Sequence, residues 1–121
     1  MRTPATIFIV DDDDAARTTL QTKLQFVGYK VAAHASCRSF IENFHSPGKA
    51  CLILDLHLQD MGAWEPGTFL KKCGAQIPIV LVTRRDDPAL KTQISGCGTM
   101  SLLGKPFDHD LLLKTIDRVL Q

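Results

Sequence analysis

The sequence predicts an α/β domain in which a five-stranded parallel sheet is covered by helices on both faces. Three observations lead there. Thr6–Val10, Ala50–Leu56 and Ile77–Thr83 are nearly continuous apolar runs without polar alternation, the pattern of strands buried on both sides. Segments with helical spacing of apolar residues lie between such runs, so strands and helices alternate as β/α units. Polar residues follow the strands at matching places: Asp11 to Asp14 after the first, Asp55 at the end of the third, Thr83 at the end of the fourth, and Gly104-Lys105-Pro106 after the fifth. In an open parallel sheet, ligands bind outside the carboxyl ends of the strands. These residues are therefore expected at one pocket.

The first strand is read as Thr6 to Val10, followed by a helix from about Asp14 or Ala15. Acidic residues favour that helix start. Ala16, Leu20, Leu24 and Val27 give the helix one apolar face, and Gly28 stands where a glycine stop belongs. The second strand covers Lys30 to Ala35. Ser36 is the expected N-cap of a second helix carrying Phe40, Ile41 and Phe44 inward, and Ser46-Pro47-Gly48 closes it as a turn.

The third strand runs from Ala50 to Leu56. A loop containing Gly62 follows, and a third helix is expected late, from Gly67 or Thr68 to Cys73, because Pro66 is tolerated only in a first turn. The fourth strand is Ile77 to Val82 or Thr83. A fourth helix is read from about Pro88 to Ser95, although Thr92, Ser95 and Gly96 disfavour it. The fifth strand covers Met100 to Leu103, and Asp108 caps a last helix that buries Leu112, Ile116 and Val119.

Composition narrows the function classes. A chain of 121 residues fits one domain, read as residues 1–121, with 45% hydrophobic and 22% charged residues, as in soluble globular proteins. The net charge of +1 offers no global attraction to nucleic acid or to an anionic membrane. No apolar run approaches the roughly 20 residues needed to span a bilayer, and the N-terminus lacks a signal-peptide core. The expected location is cytoplasmic, without direct nucleic-acid or membrane binding. Cys37, Cys51, Cys73 and Cys97 lie 14, 22 and 24 residues apart. That spacing is poor for zinc, so reduced structural thiols are expected. His34, His45, His57 and His109 are scattered, without a Cys at metal spacing.

The acidic residues carry the chemistry. With the first and third strands as neighbours, Asp11, Asp12 and Asp55 crowd together, and like charges about 4 Å apart repel by roughly 1 kcal/mol in water and about 4 kcal/mol at a protein surface. A divalent cation relieves that repulsion, and an all-oxygen carboxylate set suits Mg²⁺, which often shares its sphere with a phosphate. Lys105 adds a positive charge and Thr83 a hydroxyl donor. A carboxylate can itself form an aspartyl-phosphate. Taken singly, each residue also has an ordinary structural explanation, and Asp13 and Asp14 read as helix-start charges facing water.

The segments Ile-Phe-Ile-Val-Asp11-Asp12, Leu-Ile-Leu-Asp55-Leu, Val-Leu-Val-Thr83 and Lys105-Pro106-Phe107, separated by 43 residues from Asp12 to Asp55, 28 to Thr83 and 22 to Lys105, resemble the receiver domain of bacterial two-component response regulators over nearly the whole chain. The resemblance implies a flavodoxin-like (βα)5 three-layer sandwich with strand order 2-1-3-4-5. It implies that Asp55 accepts phosphate from a phosphohistidine on a sensor histidine kinase or phosphotransfer protein, with no enzymatic activity beyond phosphorylation and dephosphorylation of Asp55. It further implies Mg²⁺ held by Asp11, Asp12 and Asp55 with the backbone carbonyl of His57, phosphoryl oxygens bound by Thr83 and Lys105, and a cis Lys105–Pro106 bond. Output, including homodimerisation, would use the face made by the fourth helix, the fifth strand and the last helix.

Departures from the family pattern leave alternatives open. Arg84 and Arg85 follow Thr83 where a small residue is usual. Gln59 replaces a typical proline, Pro66-Gly67 disturbs the third helix, and Leu102 stands three positions before Lys105 where an aromatic switch residue is common. An atypical receiver acting as a phosphate-independent protein-binding module is one alternative. Another is a haloacid-dehalogenase-like phosphatase, with Asp11-x-Asp13 as its motif and Asp11 as nucleophile.

Overall fold

The structure is a computed structural model, and it describes residues 5–43, 49–55, 77–83, 100–104 and 108–120. Five parallel strands, β1 (Thr6–Val10), β2 (Lys30–His34), β3 (Ala50–Asp55), β4 (Ile79–Thr83) and β5 (Met100–Gly104), form one sheet in the order β2-β1-β3-β4-β5. This is the flavodoxin-like order, with its reversal between β1 and β3. Three described helices accompany the sheet: α1 (Asp14–Val27), α2 (Cys37–Asn43) and α3 (His109–Leu120). The third and fourth predicted helices, Phe44, the Ser46-Pro47-Gly48 turn and the Lys105–Pro106 bond lie outside the described residues.

Alternation along the strands divides the core into two layers. Ile7, Ile9, Cys51, Ile53, Val80, Val82 and Leu103 share a buried cluster with Leu20 and Leu24 of α1 and with Leu112, Ile116 and Leu120 of α3. The alternate residue Phe8 meets Phe40 of α2 edge to face, with ring centroids 5.4 Å apart. All six residues of β3 are buried, whereas β2, at the sheet edge, is only half-buried. That contrast is what two covered faces and an open edge produce.

The helix boundaries follow their capping residues. Asp13 is the N-cap of α1, its carboxylate accepting from the Ala16 N–H at 3.1 Å. Gly28 ends the helix in the left-handed region at φ 115°. Its N–H donates to the Gln25 carbonyl at 3.0 Å, and the Tyr29 N–H donates to the Leu24 carbonyl at 3.2 Å. The Ser36 hydroxyl accepts from the Ser39 N–H at 3.0 Å ahead of α2, and the Asp108 carboxylate accepts from the Asp110 N–H at 2.9 Å at the start of α3.

Several boundaries differ from the sequence expectation. Strand β2 stops at His34, one residue early, and β5 continues to Gly104, one residue late. Strand β4 begins at Ile79 rather than Ile77, because Pro78 has no N–H for the ladder; its carbonyl still accepts from the Leu52 N–H at 3.0 Å. Val27, expected on the buried face of α1, is 54% exposed. The helix stops at the next residue, and the chain reversal at Gly28 packs Tyr29 against the core instead. On α3, Leu112 and Ile116 are buried as expected, Val119 is partly buried, and Thr115 and Leu120 join the buried side.

Candidate functional site

Sheet register assembles the site. Val10 of β1 pairs with Leu54 of β3, so Asp11 and Asp55 each stand one step beyond the same rung. Asp55 in turn pairs with Val82 of β4, and Thr83 with Gly104 of β5. Adjacent strands lie about 4.8 Å apart, so the ends carrying Asp11, Asp55 and Thr83 form one continuous edge. Lys105 follows Gly104 in sequence; it and His57 lie outside the described residues, as do Gln59, Arg84 and Arg85.

Asp11, Asp12 and Asp55 each offer a carboxylate oxygen, and these oxygens all lie within 4.8 Å of one another. Asp11 and Asp55 are only 6% and 4% exposed, whereas Asp12 faces solvent. Buried carboxylates are costly unless hydrogen-bonded, paired or bound to a metal. Around an octahedral Mg²⁺ with oxygens at about 2.1 Å, ligands lie about 3 Å apart when adjacent and about 4.2 Å when opposite. Hard oxygen donors, two buried and one open to water, fit Mg²⁺ in chemistry and in size.

Local hydrogen bonds fix Asp11. Its N–H donates to the His34 carbonyl of the neighbouring strand at 3.1 Å. Its carboxylate accepts from the Asp13 N–H at 2.9 Å. Its carbonyl accepts from the Arg17 guanidinium at 2.8 Å, and the same guanidinium pairs with the Asp14 carboxylate. Asp13 caps α1 and lies outside the carboxylate triad. Sequence reasoning did not single out Arg17. The available signal was its spacing, three residues beyond Asp14 and six beyond Asp11.

The Cys51 thiol and the His34 ring lie outside the carboxylate triad. Burial among apolar neighbours pushes the Cys51 thiol up to about 12, so it stays protonated and behaves as a small hydrophobe. The His34 ring lies edge-on to Phe40, with centroids 5.7 Å apart, and its Nδ1 is 3.0 Å from the Ser39 hydroxyl. Burial lowers its pKa below the ordinary histidine value. Among the described residues, no helix is long and apolar enough to cross a membrane.

The family model described as the response regulator receiver domain matches residues 7–117. Response regulator protein TodT of Pseudomonas putida is 29% identical over 115 residues, covering 95% of this chain and 51% of TodT. Nodulation protein W of Bradyrhizobium diazoefficiens is 31% identical over 111 residues, covering 91% of this chain and 49% of that protein. The chain thus spans about half the length of these relatives. Among solved structures, the chemotaxis protein CheY4 of Vibrio cholerae superposes with a TM-score of 0.79 at 26% identity, covering 98% of this chain and 100% of that one. Strand order, the acidic triad at the sheet edge and the match across residues 7–117 agree: the chain belongs to the response regulator receiver domain family of two-component systems.

Proposed function

We propose that residues 1–121 form a phosphoacceptor domain in which Asp55 takes a phosphoryl group from a phosphohistidine on a sensor histidine kinase or phosphotransfer protein. The observation that carries this reading is the meeting of Asp11, Asp12 and Asp55 oxygens within 4.8 Å at the carboxyl end of β3. An Asp55 carboxylate oxygen attacks phosphorus as the P–N bond breaks. The bonding pair returns to the imidazole nitrogen, and an acyl phosphate results. Bound Mg²⁺ supplies charge neutralisation for the phosphoryl oxygens and the carboxylates. Asp11, Asp12 and Asp55 would hold it with the His57 carbonyl, while Thr83 donates a hydroxyl hydrogen bond and Lys105 a charge-assisted one. Output follows from a phosphoryl group that binds one conformation better than another, and its reading, including homodimerisation, is assigned to the face of the fourth predicted helix, β5 and α3.

Intact-mass spectrometry after incubation with acetyl phosphate tests this on wild type, Asp55→Asn and Asp11→Asn. The expected result is a Mg²⁺-dependent gain of one phosphoryl group in wild type and none in Asp55→Asn. An adduct that survives in Asp55→Asn but vanishes in Asp11→Asn makes Asp11 the nucleophile. Absence of an adduct from acetyl phosphate and from a cognate kinase, with Mg²⁺ binding intact, favours the phosphate-independent module.

A further inference from the structure

Arg17 is placed to hold the backbone that carries two of the three clustered carboxylates. Its side chain is only 18% exposed, and its guanidinium reaches back from the first turn of α1 to the Asp11 carbonyl at 2.8 Å. The other side of the Asp11 peptide is tied to β2 through the His34 carbonyl, and the Asp13 N–H is tied to the Asp11 carboxylate. The Asp11–Asp13 turn is therefore fixed from the strand side by β2 and from the helix side by Arg17. A lone cation this close would oppose binding of a second cation. Asp14, whose side chain is 88% exposed, pairs with the guanidinium and offsets its charge. What remains is a rigid, nearly neutral brace, and a guanidinium presents its donors in a fixed planar fork suited to serving a carbonyl and a carboxylate together.

We propose that Arg17, with Asp14 as its counter-charge, is a positioning residue that braces the Asp11–Asp12 turn for divalent-cation binding. This rests on the proposed Mg²⁺ site. The opposite role, a simple counter-cation for the acidic cluster, predicts the opposite sign. Removing a counter-cation tightens Mg²⁺ binding, whereas removing a brace weakens it.

Mg²⁺ is titrated calorimetrically into wild type, Arg17→Ala, Arg17→Lys, the double variant Arg17→Ala/Asp14→Ala and Asp11→Asn, at low and high salt, with folding checked by circular dichroism. The double variant replaces a neutral pair with a neutral pair. It is expected to bind Mg²⁺ roughly tenfold more weakly, as is typical when a group orienting a metal ligand is lost. The loss should persist at high salt, where exposed charge effects are screened. Lysine, which keeps a donor and the charge but not the fork, should recover part of the affinity and so serves as the folded control if alanine destabilises the domain. Amide ¹⁵N shifts of Asp12 and Asp13 in the metal-free protein should move in Arg17→Ala. A double variant that binds Mg²⁺ as tightly as wild type, or more tightly, overturns the brace while loss of binding in Asp11→Asn keeps the site. A wild type that does not bind Mg²⁺ overturns both.

Discussion

Asp11 and Asp55, nearly buried, share a carboxylate cluster with an exposed Asp12, and the difference comes from position alone. Asp55 ends β3 and Asp11 directly follows β1, both strands inside the sheet, and Asp12 lies one step further into the turn. That much was legible in the sequence, because an apolar run ending on a carboxylate states both the burial and the edge. Arg17 was not legible, since a single Arg on a helix reads as solvated until its distance to a backbone carbonyl is known. His34 is a similar case. It sits at the end of β2, where its burial depends on α2 folding over it through Phe40 and Ser39. Its folded pKa lies below the ordinary value, so between the two values the unfolded chain binds more protons. Its stabilising contribution is complete above a pH of about 6.5 and is lost as pH falls below that value. Urea midpoints measured from pH 7 down to pH 5 are expected to fall more steeply for wild type than for His34→Gln. Equal slopes for the two proteins would refute a partly buried His34 whose charged form the fold disfavours.

Helices and strands were predicted best where a capping residue coincides with a change of periodicity. Asp13, Ser36 and Asp108 each begin a helix as expected, and Gly28 ends one. Val27 shows the limit of spacing. It continues the apolar stripe of Leu20 and Leu24, yet it is the last residue of the helix, and the reversal that packs Tyr29 against the core leaves Val27 outside. Gly28 itself gives a direct test. At φ 115°, a β-carbon would meet nothing within 4 Å, so the cost of Gly28→Ala is purely conformational, about 1–2 kcal/mol. The urea midpoint of Gly28→Ala should drop accordingly with an unchanged slope, and Gly28→Asn should lose less, since asparagine enters this region more readily. An alanine variant as stable as wild type would mean that the turn relaxes freely.

For the whole molecule, alternation of strands and helices implied a parallel sheet, but strand order came from the family resemblance rather than from periodicity. Nothing in the local spacing says that β1 lies between β2 and β3; that is a property of long-range pairing. The same pairing sets how the core closes. Leu112, Ile116 and Leu120 of α3 cover the layer formed by Ile7, Ile9, Cys51 and Ile53. Burial of each leucine or isoleucine contributes about 1.5–3 kcal/mol, so the three together rival the roughly 5–15 kcal/mol net stability of a typical domain. A chain cut after Gly104 is therefore expected to lose cooperative unfolding and to bind an apolar dye such as anilinonaphthalene sulfonate. A sharp thermal transition without dye binding would show the sheet and α1 to be self-sufficient.

That closure has a consequence during synthesis. Leu120 follows Asp55 by 65 residues, and at roughly 5–20 residues per second the ribosome needs roughly 3–13 seconds to add them. Throughout that interval the nascent chain already contains β1, β2, β3 and the acidic triad, while the layer that α3 will cover is still wet. The three clustered carboxylates are thus encoded in the first half of the chain, but the core layer behind them closes only once the last helix has been made. Slow translation of the second half prolongs the interval in which that apolar layer stays uncovered.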